Sequence, residues 1–314
     1  MAPAAVPLPG PALPSPDERA DPRIVPRRFV RLPDDRTIAY AEIGSGPDLV
    51  AIHGTLMCLE DQWLGPVPAL AQHFRVVAVD RPGHGFSLRP RGSGADIWDQ
   101  ARQIRDAMQR LGLKRPVILG HSFGGAIALA YGMLYPDEIA GIVSLAPICF
   151  PEVRLEQILF GPRALPFGGD FVTRALSASS DPALLPLLWH AMFLPQAMPQ
   201  RFRTDFPFAL ASRAAQITAE GEDAGWLWPA LTRSVMRYPS LRVPTRILCG
   251  GADIVVNPYL HGATAARMIP GATFELLPGL GHMFPHIDAA AVVRAARSIG
   301  GGGLSRGRDH SGAR

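Results

Sequence analysis

Val117-Ile118-Leu119-Gly120-His121-Ser122-Phe123-Gly124-Gly125-Ala126 is the stretch on which the reading of this chain turns. It begins as a short apolar run, the composition of a strand buried on both faces. It continues into the small and apolar residues from Ala126 to Leu134, which read as a helix stopped by Pro136. Between the two stands G-x-S-x-G. A strand that must become a helix within so few residues brings their backbones very close. Side chains near the Ser would collide there, and glycine two positions away on either side removes the collision. The Ser is then held up at the strand's carboxyl end, and the helix N-terminus behind it favours negative charge on a reacting oxygen. The plain alternative is a Gly-rich turn with an incidental Ser; the strand before it and the helix after it favour Ser122 as a nucleophile.

The same grammar recurs on both sides. Phe29–Arg31 and Thr37–Ile43 read as an antiparallel opening hairpin. Leu49–Ile52 runs into His53-Gly54, Val76–Val79 into Asp80, and Ile142–Leu145 is a further apolar run. Thr245–Cys249 ends at Gly250-Gly251-Ala252-Asp253, and Thr273–Leu277 leads to Pro278-Gly279-Leu280-Gly281-His282. Helical patterns alternate with these runs. Trp98, Ala101, Ile104, Met108 and Leu111 share one face before Gly112; Asn257 to Met268 and Ile287 to Ile299 form two more. Alternation of this kind indicates a mostly parallel sheet with helices on both faces, an α/β fold. From residue 148 to 240 the alternation stops, and the stretch, rich in Pro, Phe, Leu and Trp, reads as a helical insertion. The expected division is therefore a core of residues 27–147 and 241–300, a helical cap of 148–240, a Pro/Ala-rich disordered tail of 1–26, and a flexible Gly-rich basic tail of 301–314.

A Ser hydroxyl needs a base. Of the nine histidines, His282 stands in a Gly-rich loop at a strand's carboxyl end, the edge where chemistry gathers on open parallel sheets. His121 adjoins the Ser and should point away from it. His84 and His53 suit local loop bonding, and His286 falls at a helix start. The base in turn needs an acid to fix its tautomer and stabilise its cation. Asp253 ends an apolar run at the same edge, although an Asp there could equally cap a helix. Glu220, Glu222 and Asp223 compete for the acid's role but lie in the insertion. A developing oxyanion needs two backbone donors. One is expected from Phe123, directly after the Ser, and the other from the loop His53-Gly54-Thr55-Leu56, with Thr55 preferred over Leu56.

Bulk composition narrows the field. The chain has 314 residues, 47% hydrophobic and 18% charged, enough for a sizeable core. Its formal charge of +4 includes no dense basic run interleaved with aromatics, so no nucleic-acid partner is expected. Three scattered cysteines, Cys58, Cys149 and Cys249, suggest neither a disulfide framework nor a zinc site, but small buried hydrophobes in a reducing compartment. No apolar run is long enough to span a bilayer, and the N-terminal stretch lacks the features of a secretory signal. The expectation is a cytoplasmic protein without membrane association, without metal and without organic cofactor. Oligomeric state is left open.

Four motifs in this order, H-G-T-L at 53–56, D-R-P-G-H-G-F-S at 80–87, G-H-S-F-G-G at 120–125, and G-x-D with G-H at Gly251–Asp253 and Gly281–His282, resemble the α/β-hydrolase superfamily. The likeness is to its capped Ser-His-Asp branch, which includes esterases and haloperoxidases, and it spans about residues 27 to 300. It implies an eight-stranded, mostly parallel sheet whose second strand is antiparallel, and a cap after the sixth strand. The Asp80–Ser87 loop is then mainly structural. Dehalogenases and epoxide hydrolases of the superfamily use Asp at the elbow, where this chain has Ser122. No Tyr lies between Tyr135 and Tyr238, so the pair with which epoxide hydrolases activate the ring oxygen is missing as well. The resemblance implies a serine esterase-like enzyme that cleaves a carboxylic ester or related acyl bond through an acyl-enzyme. Perhydrolysis, C–C bond hydrolysis or a lyase reaction by the same three residues stays open, as does a slow ligand-binding module on the same scaffold. The partner is then a small-molecule acyl substrate. The many apolar cap residues suggest an apolar pocket without a basic cluster, for which Leu56, Trp189, Phe193 and Met283 are the candidate lining residues.

Overall fold

A computed structural model describes residues 20–33 and 36–300. Its sheet has eight strands in the order β1-β2-β4-β3-β5-β6-β7-β8. They are β1 (Arg28–Arg31), β2 (Thr37–Ile43), β3 (Asp48–Ile52), β4 (Arg75–Val79), β5 (Val117–His121), β6 (Gly141–Leu145), β7 (Thr245–Gly250) and β8 (Thr273–Leu277). β2 pairs antiparallel with both β1 and β4, and every other pairing is parallel. Parallel pairing needs crossover helices, and these bury both faces of the sheet. β5 and β6 are accordingly buried along their whole length.

The helices Ile97–Arg110 and Phe123–Leu134 pack on one face. Trp98, Ala101 and Ile104 meet Val50, Val77 and Ile118 there. Leu59–Leu64, Val67–Leu70 and Ala289–Gly300 cover the other face, where Leu70, Val292 and Ala296 meet Leu49, Val76 and Leu119. Between β6 and β7 lie six α-helices, the longest of them Ala214–Arg237. A third apolar cluster joins this helical segment to the core, with Trp189, Phe193, Phe202 and Phe206 packed on Leu56, Met57 and Met283.

Of the expected tails, residues 1–19 and 301–314 lie outside the described residues; within 20–26, Ile24 and Val25 pack against the core. The Val25 N–H donates to Glu60 at 2.9 Å, and the buried Arg27 guanidinium bonds both Glu60 and Asp80, at 2.7 and 3.0 Å. Arg27 is the first residue of the expected core, and a single Arg inserted between two buried carboxylates has no sequence periodicity to announce it. The predicted helix from Asn257 to Met268 divides into a wider turn, Tyr259–Ala263, and a short helix, Thr264–Met268. Cys58, Cys149 and Cys249 are free thiols buried in the interior, and burial pushes Cys149 up to about 12. Among the described residues no helix is long and apolar enough to cross a membrane.

Candidate active site

Ser122 occupies the turn between β5 and the Phe123–Leu134 helix at φ 55° and ψ −117°. A residue with a side chain enters this region at a cost of about 1–3 kcal/mol, so the surroundings must enforce it. Two glycines make the turn possible. A Cβ on Gly120 would stand 2.0 Å from the Gly124 carbonyl oxygen, and one on Gly124 would stand 2.4 Å from that of Ile52. The Ser122 N–H is tied to the Leu145 carbonyl at 2.8 Å, which secures the turn to the end of β6. Gly54 brings the loop after β3 against it, since a Cβ at Gly54 would lie 3.1 Å from Ser122 Cβ.

Asp253 and His282, 29 residues apart in the chain, meet where β7 and β8 end, with His282 Nδ1 2.7 Å from Asp253 Oδ2. Both side chains are buried. Burial alone would raise the Asp253 carboxyl. The charge of the imidazole, its hydrogen bond and two backbone donors outweigh that and hold the group below its ordinary value. An ionised carboxylate only accepts, so the proton between them sits on Nδ1 and the lone pair on Nε2. Nε2 is buried and bonded to no protein group. The other oxygen of Asp253 accepts the N–H groups of Val255 and Val256 at 2.8 and 2.9 Å. The two readings of Asp253, cap and acid, are therefore compatible, one on each oxygen.

His121 points away from Ser122 toward the His282 loop. Its Nε2 donates to the His282 carbonyl at 3.0 Å, and the two rings lie 4.7 Å apart. Burial, then the charge of His282, pushes His121 down to about 4, so it stays a neutral donor. His53 shapes its own loop: its Nε2 accepts the Arg81 N–H at 3.0 Å while Nδ1 meets the Gly54 carbonyl at 2.9 Å.

Of the candidate oxyanion donors, Phe123 is the first residue of its helix, where N–H groups have no intrahelical partner. The two candidates in the β3 loop separate. The Leu56 N–H is taken by Glu220 Oε1 at 2.6 Å, whereas the Thr55 N–H makes no bond to another described residue. Thr55 and Phe123 line the same small cavity, together with Glu156, Glu220 and Asp223.

The acidic residues of the insertion are committed elsewhere. Asp223 accepts Arg81 and Arg89, each at 2.6 Å, and Arg89 also donates to Glu222 at 2.9 Å. His84 Nε2 lies 3.1 Å from Glu220, and its Nδ1 bonds the Pro82 carbonyl at 3.2 Å. His84, Glu220 and Asp223 bring three possible ligand atoms within 4.8 Å of one another. The Arg81 guanidinium, 3.6 Å from Glu220, already supplies the positive charge a cation would bring. Gln216, Glu220 and Asp223 follow at spacings of four and three on one helix face. That stripe was visible in the sequence; what it would face was not.

A cleft of about 450 Å³ opens beside Thr55. Of the four residues expected to line it, Leu56 does. Trp189, Phe193 and Met283 are buried in the cluster that joins insertion and core, and Phe193 lies against the rings of Phe202 and His286. The Asp181–Phe193 helix turns Leu188, Ala191 and Met192 to the cleft instead. That helix is apolar nearly all round, so its sequence offered no face to choose. The cleft wall is not purely apolar either: Arg154, held between Glu152 at 2.6 Å and Glu156 at 3.0 Å, forms part of it.

Comparison with known proteins agrees with this architecture. The family described as having the alpha/beta hydrolase fold matches residues 47–289. An uncharacterised protein of Mycobacterium tuberculosis is 28% identical over 267 residues, 81% of this chain and 75% of its own length. Haloalkane dehalogenase 2 of the same organism is 33% identical over 272 residues, 82% of this chain and 90% of its own. A thermophilic esterase from Thermogutta terrifontis is similar in structure, with a TM-score of 0.68 at 21% identity, over 87% of this chain and 97% of that one. At that identity the likeness speaks for the fold alone. With the sheet order, the strand-end loops and the family match in agreement, the chain belongs to the alpha/beta hydrolase fold family.

Proposed function

We propose that the protein is a serine hydrolase that cleaves a carboxylic ester, or a related acyl bond, of a small substrate. The observation that carries this reading is the buried imidazole of His282: its Nδ1–H is spent on Asp253, and its Nε2 lone pair has no protein partner. An imidazole so arranged is a base in need of a proton, and the strained Ser122 turn is tied to the same loop through His121. Ser122 Oγ transfers its proton to His282 Nε2 as it bonds the substrate's carbonyl carbon. The N–H groups of Phe123 and Thr55 hold the oxygen that gains the electron pair. The alcohol leaves with the proton from His282. Water, deprotonated by the same nitrogen, then releases the acid and restores the Ser. Asp253 stays ionised and stabilises the imidazolium formed in each half.

The identity with a haloalkane dehalogenase does not bring dehalogenation with it, because the elbow carries Ser122 in place of the Asp that chemistry requires. Residues 148–240 serve as a cap over the site. The apolar side of the cleft, Leu56, Leu159, Phe160, Leu188 and Met192, suits an apolar acyl or alcohol group, and Glu152, Arg154 and Glu156 suit a polar end. A series of p-nitrophenyl esters tests this, with butyrate to octanoate expected to exceed acetate in kcat/KM. Preference for short, charged acyl groups would contradict the proposed pocket, and wild-type turnover by Ser122→Ala would contradict the nucleophile.

A further inference from the structure

The segment Leu56–Met57 follows directly on Thr55, yet its fastenings come from the insertion. The Leu56 N–H donates to Glu220 Oε1 at 2.6 Å. The Leu56 carbonyl accepts Trp189 Nε1 at 3.0 Å, and the Met57 carbonyl accepts Gln216 Nε2 at 3.0 Å. Three backbone groups of two consecutive residues are thus held by three buried side chains from two cap helices. Leu56 itself has φ 59°, a left-handed conformation that costs a residue of this kind about 1 kcal/mol or more and persists only under outside restraint.

Building on the serine-hydrolase reading, we infer that Glu220 is a positioning residue. Through the Leu56 N–H it fixes the peptide next to Thr55 and so assembles the oxyanion site from the cap side. The cap then completes the site as well as covering it, and a cap lifted from the core would release the loop. A free carboxylate close to a developing oxyanion would oppose it. This one is committed to the Leu56 N–H and is faced by His84 at 3.1 Å and Arg81 at 3.6 Å. Glu220 also lines the cavity shared by Thr55 and Phe123, and the Arg81 guanidinium lies 4.5 Å from the centre of the Phe123 ring. Gln216 reinforces the arrangement one turn earlier, since its Oε1 accepts the Gly85 N–H at 2.9 Å and so ties the same helix to the Asp80–Ser87 loop.

The acceptor rather than the charge is what the loop requires, and this separates two substitutions. Glu220→Gln keeps an oxygen for the Leu56 N–H and should retain kcat within about threefold, whereas Glu220→Ala should lose about 30-fold in kcat with little change in KM, short of removing a donor outright. Trp189→Phe, which removes the N–H together with the five-membered ring of the indole, should lower kcat in the same direction by a few fold. Affinity for an aryl boronic acid, which forms the tetrahedral adduct, should fall in parallel with kcat. An Ala variant that keeps wild-type kcat and boronate affinity, or a Gln variant as damaged as Ala, overturns the inference. Deuterium uptake by the amides of residues 53–57 reads the same restraint without any reaction. Faster uptake in Glu220→Ala than in wild type is expected, and equal uptake overturns the inference. A wild type that neither hydrolyses esters nor binds the boronate would instead remove the serine-hydrolase reading, and the uptake comparison would still decide whether Glu220 holds the loop.

Discussion

Two buried His–Asp pairs lie four residues apart on the histidine side, and they use opposite ring nitrogens. His282 meets Asp253 through Nδ1 at 2.7 Å, and His286 meets Asp61 through Nε2 at 2.8 Å. The distances are nearly equal and both pairs are shielded from water. They differ in which ring nitrogen the carboxylate holds. In His282 the nitrogen remote from the backbone is unbonded, and the loop is tied to the residue preceding Ser122. In His286 the remote nitrogen is the one used, while the ring lies edge-on to Phe193 and Phe202, at 5.6 and 5.0 Å, and fills the space above Gly65. The other oxygen of Asp61 is bound by Gln62 at 2.7 Å. A His–Asp contact is thus not a catalytic signature by itself. The difference lies in which nitrogen the carboxylate holds: Nδ1 in His282, which leaves the buried Nε2 without a protein partner, and Nε2 in His286.

Substitution breaks this comparison most sharply at the two histidines. His282→Ala should lower kcat for a p-nitrophenyl ester by about 10⁴-fold or more, because base and nucleophile act as a unit. Its unfolding midpoint in urea should fall as well, because the buried Asp253 carboxylate loses a hydrogen-bond partner. His286→Leu likewise leaves the buried Asp61 carboxylate without a hydrogen-bond partner and should destabilise the fold by about 3 kcal/mol, but with turnover per folded molecule close to wild type. Equal loss of kcat in both variants would show that the distinction drawn here is wrong.

A smaller effect sharpens the account of the histidine packed on His282. His121 is held neutral, with its pKa pushed down to about 4 by burial and by His282. The unfolded chain binds a proton at this position near the ordinary value of about 6.5, and the folded chain does not until about 4. Stability is therefore undiminished above pH 6.5 and falls as the pH drops toward 4, by about 2 kcal/mol at pH 5 from this residue alone. His53, pushed down by burial and then by Arg81, adds to the same slope. His121→Gln keeps a donor for the His282 carbonyl and removes the titration, so urea unfolding between pH 7 and 5 should show a shallower decline. An unchanged slope would place the acid sensitivity elsewhere.

Much of the fold was legible because parallel strands announce themselves as apolar runs and because glycine is forced where backbones nearly touch. Gly120 and Gly124 could be read as necessities of a sharp turn before any distance was known. The meeting of Asp253 and His282 followed from strand ends sharing one edge of the sheet. Other features leave no such trace. Thr55 and Leu56 are neighbours of similar promise, and only the carboxylate of Glu220, 164 residues away, separates them. Along Asp181–Phe193 apolar side chains face every direction, so Trp189 and Phe193 could not be assigned to packing, nor Leu188 and Met192 to the cleft. Arg27 escaped notice because one long side chain between Glu60 and Asp80 makes no pattern. Sequence periodicity reports which faces are buried, and it is silent on what they are buried against.

The most direct measurement is the mass of the protein after reaction with a fluorophosphonate, followed by location of the adduct. The account predicts one phosphonyl group on the peptide that contains Ser122, no adduct on Ser122→Ala, and much slower labelling of His282→Ala. Undiminished labelling of Ser122→Ala, or a folded wild type that stays unlabelled, would contradict it.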